Sequence, residues 1–250
     1  MSDLSVRVLN TGTIRLDHSH VALGKGLGTK EDFPSTAWLI EGGRKLVLVD
    51  TGMCETPKAD WHHVGSHQQP GQAICEALGA LGIKPEDIEV VVFTHLHWDH
   101  CANMKRFTKA QYIVHEAELA FARNPIPPYY RSYEAPITGY EAPFKNAAFK
   151  TISNEYEVIP GVVAIPTPGH SPGHQSVVIE TKSGKVIAAG DAVMSGENLL
   201  GDAANHLRFN MLGRYVNMID AWNSLEKLAN IGGTILPGHD CGVFNHPLYK

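Results

Sequence analysis

The sequence has little cysteine, and no two of its cysteines are close enough to form a CxxC pair. Only four are present among 250 residues, namely Cys54, Cys75, Cys101 and Cys241. Widely spaced cysteines are typical of reduced thiols in packing positions, as in cytoplasmic proteins, and not of a disulfide framework. We therefore expect a fold whose stability comes from its core.

Long apolar runs and basic clusters are also missing. No apolar stretch approaches the roughly 18 residues that a membrane span needs, and MSDLSVRVLNTG lacks the features of a secretory leader. The formal net charge is -5, and no group of lysines and arginines resembles a phosphate-binding stripe. These absences favour a cytoplasmic protein with a small-molecule partner, and they disfavour membranes and nucleic acid.

The overall composition is that of a globular protein. Hydrophobic residues make up 43% of the chain and charged residues 19%, and no repeat of 20 to 50 residues is visible. A chain of this length buries a substantial core. We expect one domain over residues 1–250.

Hydrophobic patterns alternate between strands and helices along the chain. SVRVLNTGTIRL predicts a half-buried strand, and TAWLIEGGRKLVLVDTG a hairpin turning at residues 41–43. IEVVVFT, GVVAIPT, QSVVIET and KVIAAGD read as further strands, and QYIVHEAELAFA as a strand running into a helix. Helices are predicted over 70–82, starting near Pro70 and ending at Gly82, and over YVNMIDAWNSLEKLAN.

Two segments have no clear period. Residues 18–34, HSHVALGKGLGTKEDFP, predict a long connection without a strand, able to reach over a site. Residues 124–144 are rich in proline and tyrosine, and we expect them to cover part of the molecule.

The stretch THLHWDHCAN, residues 94–103, crowds four metal-binding side chain types together: His95, His97, Asp99 and His100. It follows an apolar strand, so these residues lie at the end of that strand. On extended backbone His95 and His97 project to one side, whereas Asp99 and His100 on a turning backbone diverge toward a second point. One motif can therefore serve two metal ions.

Three further residues of the same kinds each follow an apolar run and lie beside glycine: His170 in IPTPGH, Asp191 in VIAAGD and His239 in TILPGH. Glycine allows the sharp turn and close backbone approach that a strand end at a site requires. Together with the first four they make seven candidate ligands. Imidazole and carboxylate without thiolate suit zinc first, with manganese, iron or cobalt as alternatives.

These motifs resemble the metallo-β-lactamase superfamily, and within it the N-acyl-homoserine lactonase group. LDHS, LVDTGM, THLHWDH, PGHSPGH, GD and PGHD occur in the family's order over nearly the whole chain. The resemblance implies an αββα four-layer sandwich of two mixed β-sheets flanked by helices. It also implies that His95, His97 and His170 bind one zinc, that Asp99, His100 and His239 bind the second, and that Asp191 bridges both.

Such a centre implies hydrolysis. Two Zn²⁺ ions carry four positive charges, and Asp99, Asp191 and a bridging hydroxide cancel three, which leaves one to polarise a carbonyl oxygen. Zinc lowers the pKa of bound water toward ~7, which supplies hydroxide at neutral pH. We expect the hydroxide to open a lactone ring, with Asp99 passing on the proton. Hydrolysis of another ester, a thioester, an amide or an organophosphate is the alternative.

Two residues near the candidate ligands each allow two interpretations of their role. Asp50 of LVDTG either caps a turn or orients a ligand, and His174 either bonds within its loop or orients the site. The remaining histidines are expected at the surface or in packing positions. The resemblance places a tyrosine three residues after Asp191, but this chain has Met194, which has no hydroxyl donor.

Either a tyrosine from elsewhere, such as Tyr215, Tyr129 or Tyr130, replaces the one missing at Met194, or the substrate is different. The residues expected at the substrate are Met194, Tyr215, Phe33, Tyr129 and Tyr130. Val21 and Leu23 belong to the same covering segments, and the tyrosine-rich excursion is also a candidate homodimer contact.

Overall fold

The computed structural model describes residues 3–250. Seven strands form one mixed sheet, in the order β12-β1-β2-β3-β4-β5-β6. Strands β1, β2 and β3 pair antiparallel, and β3 to β6 run parallel. Their bounds are β1 Ser5–Asp17, β2 Lys30–Glu41, β3 Val47–Val49, β4 Val90–Val92, β5 Gln111–His115, β6 Phe149–Ile152 and β12 Leu248–Tyr249.

A second sheet has five strands, in the order β11-β10-β9-β8-β7. Strands β7 to β10 alternate in direction, whereas β10 and β11 run parallel. It follows that β8, β10 and β11 all point the same way. Their bounds are β7 Tyr156–Ile159, β8 Val162–Pro166, β9 Gln175–Thr181, β10 Gly184–Gly190 and β11 Thr234–Pro237.

Six α-helices accompany the sheets. The longest, α6, begins after Asn217, whose side chain accepts hydrogen bonds from the backbone amides of Ile219 and Asp220. The bounds are α1 His18–Val21, α2 Thr56–His62, α3 Ile74–Gly79, α4 Trp98–Cys101, α5 Glu116–Arg123 and α6 Met218–Ile231. In residues 3–250 no helix is long and apolar enough to cross a bilayer.

The layers follow from where the apolar side chains are buried. One cluster, including Trp38 and Ile179, fills the space between the two sheets. A second, including Phe93 and Leu78, packs the outer face of the larger sheet under α3 and α5. A third, including Ile187 and Leu225, packs the outer face of the smaller sheet under α6. This is the predicted αββα sandwich, and the fold prediction is confirmed.

Strand direction brings the ligand-bearing loops together. The chain leaves β4 into residues 94–103, and it leaves β8, β10 and β11 into the loops with His170, Asp191 and His239. Because β8, β10 and β11 are mutually parallel in direction, these three loops meet at one edge of the smaller sheet. The loop after β4 lies opposite them across the sandwich.

Two sequence predictions need correction. The segment 18–34 was expected to lack a strand, but β2 begins at Lys30, and Lys30 to Pro34 pair with β1. Backbone hydrogen bonds extend the hairpin of β1 and β2 beyond the apolar core of the sheet. The residues in this extension do not alternate between apolar and polar, so their sequence shows no strand pattern. The first part of the segment forms α1 and an exposed turn.

The helix predicted over 70–82 is shorter than expected, because Pro70 lies in a preceding turn and α3 begins only at Ile74. The predicted end at Gly82 lies three residues beyond the last helical residue, Gly79, in the turn that closes the helix. Gly82 has a φ of +75° and donates to Gly79 O at 2.9 Å, while Ile83 donates to Leu78 O at 3.1 Å. These two bonds satisfy the last carbonyls of the helix and need the left-handed conformation that glycine allows.

Candidate metal centre

The seven predicted ligands converge on one buried site. Their side chains form three groups in which the ligand atoms all lie within 4.8 Å of one another. Each side chain comes from a segment that follows a strand, with Asp99 and His100 in the short helix α4 of the segment after β4, so the two sheets hold the site from both sides. The groups are His95 with His97 and His170, His95 with His100 and Asp191, and Asp99 with His100 and His239.

The first group is a cluster of three imidazoles. His97 Nδ1 lies 3.0 Å from His95 Nε2 and 3.0 Å from His170 Nε2. Asp191 Oδ2 approaches the same cluster, at 3.3 Å from His170 Nε2 and 3.9 Å from His95 Nε2. Three nitrogens and one oxygen therefore surround a common point.

The second group has two imidazoles and a carboxylate. Asp99 Oδ2 lies 3.5 Å from His100 Nε2 and 3.6 Å from His239 Nε2. Asp191 Oδ1 faces the same pair, at 3.3 Å from His100 Nε2 and 3.1 Å from His239 Nε2. Asp191 thus contacts both groups: Oδ1 faces the second group, and Oδ2 lies between the two, at 3.3 Å from His170 Nε2 and 3.3 Å from His239 Nε2.

Hydrogen bonds fix which nitrogen of each ring faces the site. Nδ1–H of His170 donates to Arg214 O at 2.8 Å, and Nδ1–H of His239 donates to Pro34 O at 2.7 Å. His95 Nδ1 lies 3.1 Å from Thr94 Oγ1, and His100 Nδ1 lies 2.8 Å from a carboxylate oxygen of Asp50. In all four rings the Nε2 lone pair therefore points inward.

This arrangement fits a pair of divalent ions. Inward lone pairs and two carboxylates repel one another unless a cation lies between them, and His100 Nε2 and Asp191 Oδ1, which both face the site, have no hydrogen-bond partner in residues 3–250. Tetrahedral zinc with ligands at roughly 2.0–2.1 Å separates adjacent ligand atoms by about 3.3 Å. The separations of 3.0 to 3.9 Å bracket that value.

The pKa shifts within the site also indicate that its buried carboxylates are stabilised by positive charge beside them. Burial disfavours charge on Asp99, but His100 and His239 outweigh it and lower the pKa of this carboxyl. Burial likewise disfavours charge on His100, yet Asp191, Asp99 and Asp50 raise its pKa well above the usual value. Burial and neighbouring imidazoles instead lower the pKa of His95.

Asp50 contacts a predicted ligand directly. One of its oxygens accepts from Thr94 N at 2.7 Å, and the other from Thr94 Oγ1 at 2.7 Å and from His100 Nδ1. Its backbone has a φ of +59°, which costs a non-glycine residue of order 1 kcal/mol or more. This strained, fully buried carboxylate orients both the ring of His100 and the start of the HxHxDH motif.

His174 links two of the ligand loops. Its Nδ1 lies 3.1 Å from Thr167 O, and its Nε2 accepts from the backbone N–H of Asp191 at 3.0 Å. Burial holds its pKa at about 3, so the ring is neutral and its Nε2 keeps the lone pair that this bond needs. His174 thus bonds to its own loop and to the backbone of Asp191, and its role in orienting the site stays a prediction.

Glycine is required where Asp191 meets the last loop. A Cβ built at Gly238 would lie 2.5 Å from Asp191 Oδ1. Only the absence of a side chain at this position lets the backbone before His239 pass so close to the carboxylate.

The site opens into a cleft with two parts. We call the seven ligand residues its floor. Its wall has an apolar part and a polar part, and comprises Ile14, Leu16, Trp98, Met194, His20, His63, Ser132 and Arg214. Of the residues expected at the substrate, Met194 lies in this wall. Its role at the substrate stays a prediction.

Within residues 3–250, the other four expected substrate residues are not among those that line this cleft. Phe33 and Tyr215 are half-buried and pack against the apolar cluster that includes Met194. Tyr129 lies parallel to the ring of His97 at 6.3 Å, and its hydroxyl donates to Tyr215 O at 2.8 Å. Tyr130 is half-buried, and its backbone oxygen accepts from Ala135 N at 2.8 Å.

Sequence reasoning missed Glu118. This fully buried side chain lies in α5 and accepts from Leu96 N at 2.9 Å, Tyr133 Oη at 2.8 Å and Ser171 Oγ at 2.5 Å. It joins the loop of the HxHxDH motif to the loop of His170. A glutamate in an amphipathic helix is usually solvated, so no local signal marked it.

Four polar wall residues were also missed or taken for packing residues. His20 and His63 were expected at the surface or in packing positions, and Ser132 and Arg214 carried no expectation. Burial lowers the pKa of His63 to about 4 and also lowers that of His20. These two rings are therefore neutral at pH 7.

Comparison with known proteins agrees with this geometry. The profile of the metallo-beta-lactamase superfamily matches residues 31–245. An N-acyl homoserine lactonase of a Bacillus species is 34% identical over 197 residues, which is 75% of each chain. The N-acyl homoserine lactonase AttM of Agrobacterium fabrum is 27% identical over 264 residues, covering 96% of this chain and 94% of its own.

A solved structure supports the same relationship. An N-acyl homoserine lactone hydrolase, with the product N-hexanoyl-L-homoserine bound at its catalytic metal centre, superposes with a TM-score of 0.80. The two chains are 26% identical, and the match covers 98% of this chain and 96% of the other. The predicted enzyme class, a lactonase-like metal-dependent hydrolase of ester bonds, is confirmed. The chain belongs to the metallo-beta-lactamase superfamily.

Proposed function

We propose that this protein hydrolyses lactone rings, with N-acyl homoserine lactones as the first candidates, at a centre of two zinc ions. The observation that carries the proposal is Asp191, whose carboxylate lies between the two groups of ligands and contacts His170 on one side and His100 and His239 on the other. A bridging carboxylate between two such groups suits a two-metal hydrolase. The lactonase activity of the relatives then selects the lactone among possible esters.

The residues divide between two ions. His95, His97 and His170 would hold the first, and Asp99, His100 and His239 the second, with Asp191 shared. When bound, zinc polarises a carbonyl oxygen and lowers the pKa of water toward ~7, which supplies hydroxide at neutral pH. In the net reaction, water oxygen bonds to the ring carbonyl carbon, the ring C–O bond breaks, and a carboxylate and a hydroxyl group result.

Asp99 is placed to handle the proton. Its side chain is 12% exposed to the cleft, against 3% for Asp191. One oxygen, Oδ2, faces His100 and His239, so the other is free for water or substrate. Because its pKa is lowered, Asp99 is charged at neutral pH and can accept the proton of the attacking water and return it to the leaving ring oxygen.

The apolar wall accounts for binding of the rest of a lactone. Ile14, Leu16, Trp98 and Met194 are each less than 10% exposed and border the floor. They offer apolar surface to a hydrocarbon chain and keep bulk water from the floor.

A panel of substrates tests the proposal. Zinc-loaded protein is offered short- and long-chain N-acyl homoserine lactones, simple γ-lactones and aromatic lactones, and acid release is followed in a pH-stat. Asp191→Ala, expected to lose bound metal, is the control for background hydrolysis. We expect acid release from at least one lactone class by the unaltered chain only.

Release of acid from none of the lactones would overturn the proposal. Turnover of thioesters, amides, organophosphates or open-chain esters by the same preparation would then identify the alternative hydrolase. Metal content measured in parallel separates an unsuitable substrate from an unloaded site.

A further inference from the structure

Arg214 differs from every other residue of the cleft wall. It lies in the segment between the 3-10 turns after β10 and helix α6, and its side chain is half-buried. A guanidinium is always charged in proteins, whereas the two wall histidines are neutral at pH 7. Arg214 is thus the one formal cation in the wall of this cleft, within residues 3–250.

No carboxylate of the described chain pairs with this cation. Its Nη2 donates to Ser132 Oγ at 2.8 Å, and its guanidinium lies 5.3 Å from the centre of the Tyr129 ring. These two contacts use one of the five N–H donors and one face of the group. The remaining donors form no hydrogen bond within residues 3–250, and the residue lines the cleft.

The placement of Arg214 is fixed from both sides. Its backbone oxygen accepts from His170 Nδ1, and Val216 N donates to Gly169 O at 2.7 Å, so the segment is tied to the His170 loop. Ser132 in turn accepts, at its backbone oxygen, from Trp98 N at 3.0 Å. The guanidinium is therefore held at a constant position relative to the floor.

A bound acyl homoserine lactone has two carbonyl oxygens, one in the ring and one in the acyl amide. The floor takes the ring carbonyl, and the amide oxygen then needs a donor from the wall. Position 194 offers none, because Met194 has no donor, and the hydroxyl of Tyr129 is already engaged with Tyr215. Arg214 has free donors at the same cleft.

Resting on the proposed lactonase function, we propose that Arg214 binds the acyl-amide oxygen of the substrate and so makes the enzyme selective for N-acyl lactones over lactones without an amide. A hydrogen bond from a charged donor in a partly buried cleft contributes about 10- to 100-fold to binding. That gain is absent for a simple γ-lactone, which has no second carbonyl.

The test compares Arg214→Met with the unaltered chain on N-hexanoyl homoserine lactone and on a γ-lactone with an alkyl chain of similar length. We expect KM for the acyl homoserine lactone to rise about 10- to 100-fold, with kcat changed much less. The kinetic constants for the γ-lactone stay within about twofold. Arg131→Met is the matched control, since Arg131 is exposed, stacks on Trp61 and lies outside this wall.

Equal losses on both lactones would overturn the selectivity role and make Arg214 a residue that supports the fold or His170. Zinc content of Arg214→Met, expected at the level of the unaltered chain, separates those two cases. If the unaltered chain hydrolyses the γ-lactone but not the acyl homoserine lactone, the Arg214 proposal fails while lactone hydrolysis stands. If it hydrolyses neither, the proposed function itself fails.

Discussion

The floor and the wall of the cleft are built differently. Every floor residue lies in a segment that follows a strand and is at most 8% exposed, and His95, His100, His170 and His239 each bond through Nδ1 to another group of the chain. Much of the wall comes from elsewhere: the β1–β2 hairpin with α1, the turn after α2, the proline-rich excursion and the segment before α6, while Trp98 and Met194 belong to the ligand-bearing segments. Of its polar members, His20, His63 and Arg214 are half-buried. The floor is fixed by two sheets, and the wall by a few contacts between loops.

This difference separates the chemistry from the choice of substrate. A rigid floor preserves the distances that metal ions and a reacting carbonyl require. A wall made of loops can change without disturbing those distances. Changes to the floor should therefore abolish turnover of every substrate, whereas changes to the wall should redistribute turnover among substrates.

The largest effect is expected from the shared floor carboxylate. Asp191→Ala removes the oxygen that faces each ligand group, so we expect lactone hydrolysis to fall by more than about 10³-fold for all substrates. Steady-state rates over the lactone panel measure this. Asp32→Ala, which removes an exposed carboxylate paired with Arg15, is the control and should be unchanged. A loss confined to one substrate would contradict a common floor.

A smaller effect is expected from the residue behind the floor. Asn in place of Asp50 cannot accept from Thr94 N, Thr94 Oγ1 and His100 Nδ1 together, so Asp50→Asn should weaken metal binding by about 10- to 100-fold. Competition with a chelator of known affinity gives the value. Restoration of turnover at high zinc would show that the floor is intact but loosened, and unchanged metal affinity would refute the orienting role.

In the wall, Leu16→Ala should act on long acyl chains alone. It removes apolar surface at the cleft, so KM for a ten-carbon acyl lactone should rise about tenfold while that for a four-carbon one changes little. Leu9→Ala is the matched control, because Leu9 is equally buried but packs in the cluster on the outer face of the larger sheet. Equal effects of both variants would mean lost stability and not lost contact.

The smallest effect is expected on how the free energy of unfolding changes with pH. The pKa of His63 is about 4 in the folded chain, below its ordinary value of 6.5, because of burial. Between these values the unfolded chain binds a proton that the folded chain does not, so stability falls as pH falls, by at most about 1.4 kcal/mol per pH unit. His63→Gln removes this contribution. Urea unfolding at pH 7 and pH 5 should show a shallower decline for the variant, and parallel declines would contradict the burial of His63.

The same division explains what the sequence could predict. His95, Asp191 and His239 each follow a run of apolar residues that marks a buried strand, and strand ends of one direction share an edge. Local pattern therefore brought the seven residues together without any knowledge of the structure. The alternation of apolar patterns predicted only a mixed order of strands and helices, and the αββα layers were implied by the resemblance to the metallo-β-lactamase superfamily.

No apolar run in the sequence marked Arg214 or Ser132 as residues of the cleft wall. Arg214 and Ser132 lie in segments without hydrophobic period, and their meeting depends on contacts between residues 82 positions apart. Strand β2 was extended by backbone pairing at Lys30 to Pro34, and Glu118 was buried by three donors from distant loops. Interactions of that kind depend on the folded arrangement and leave no local pattern.

The central claim is that the floor holds two metal ions in one chain. Elemental analysis of protein that is active on a lactone, after removal of loosely bound metal, tests it most directly. We expect two equivalents of metal per chain, with activity lost on chelation and regained in proportion to the metal returned. Full activity with one equivalent or none would contradict it.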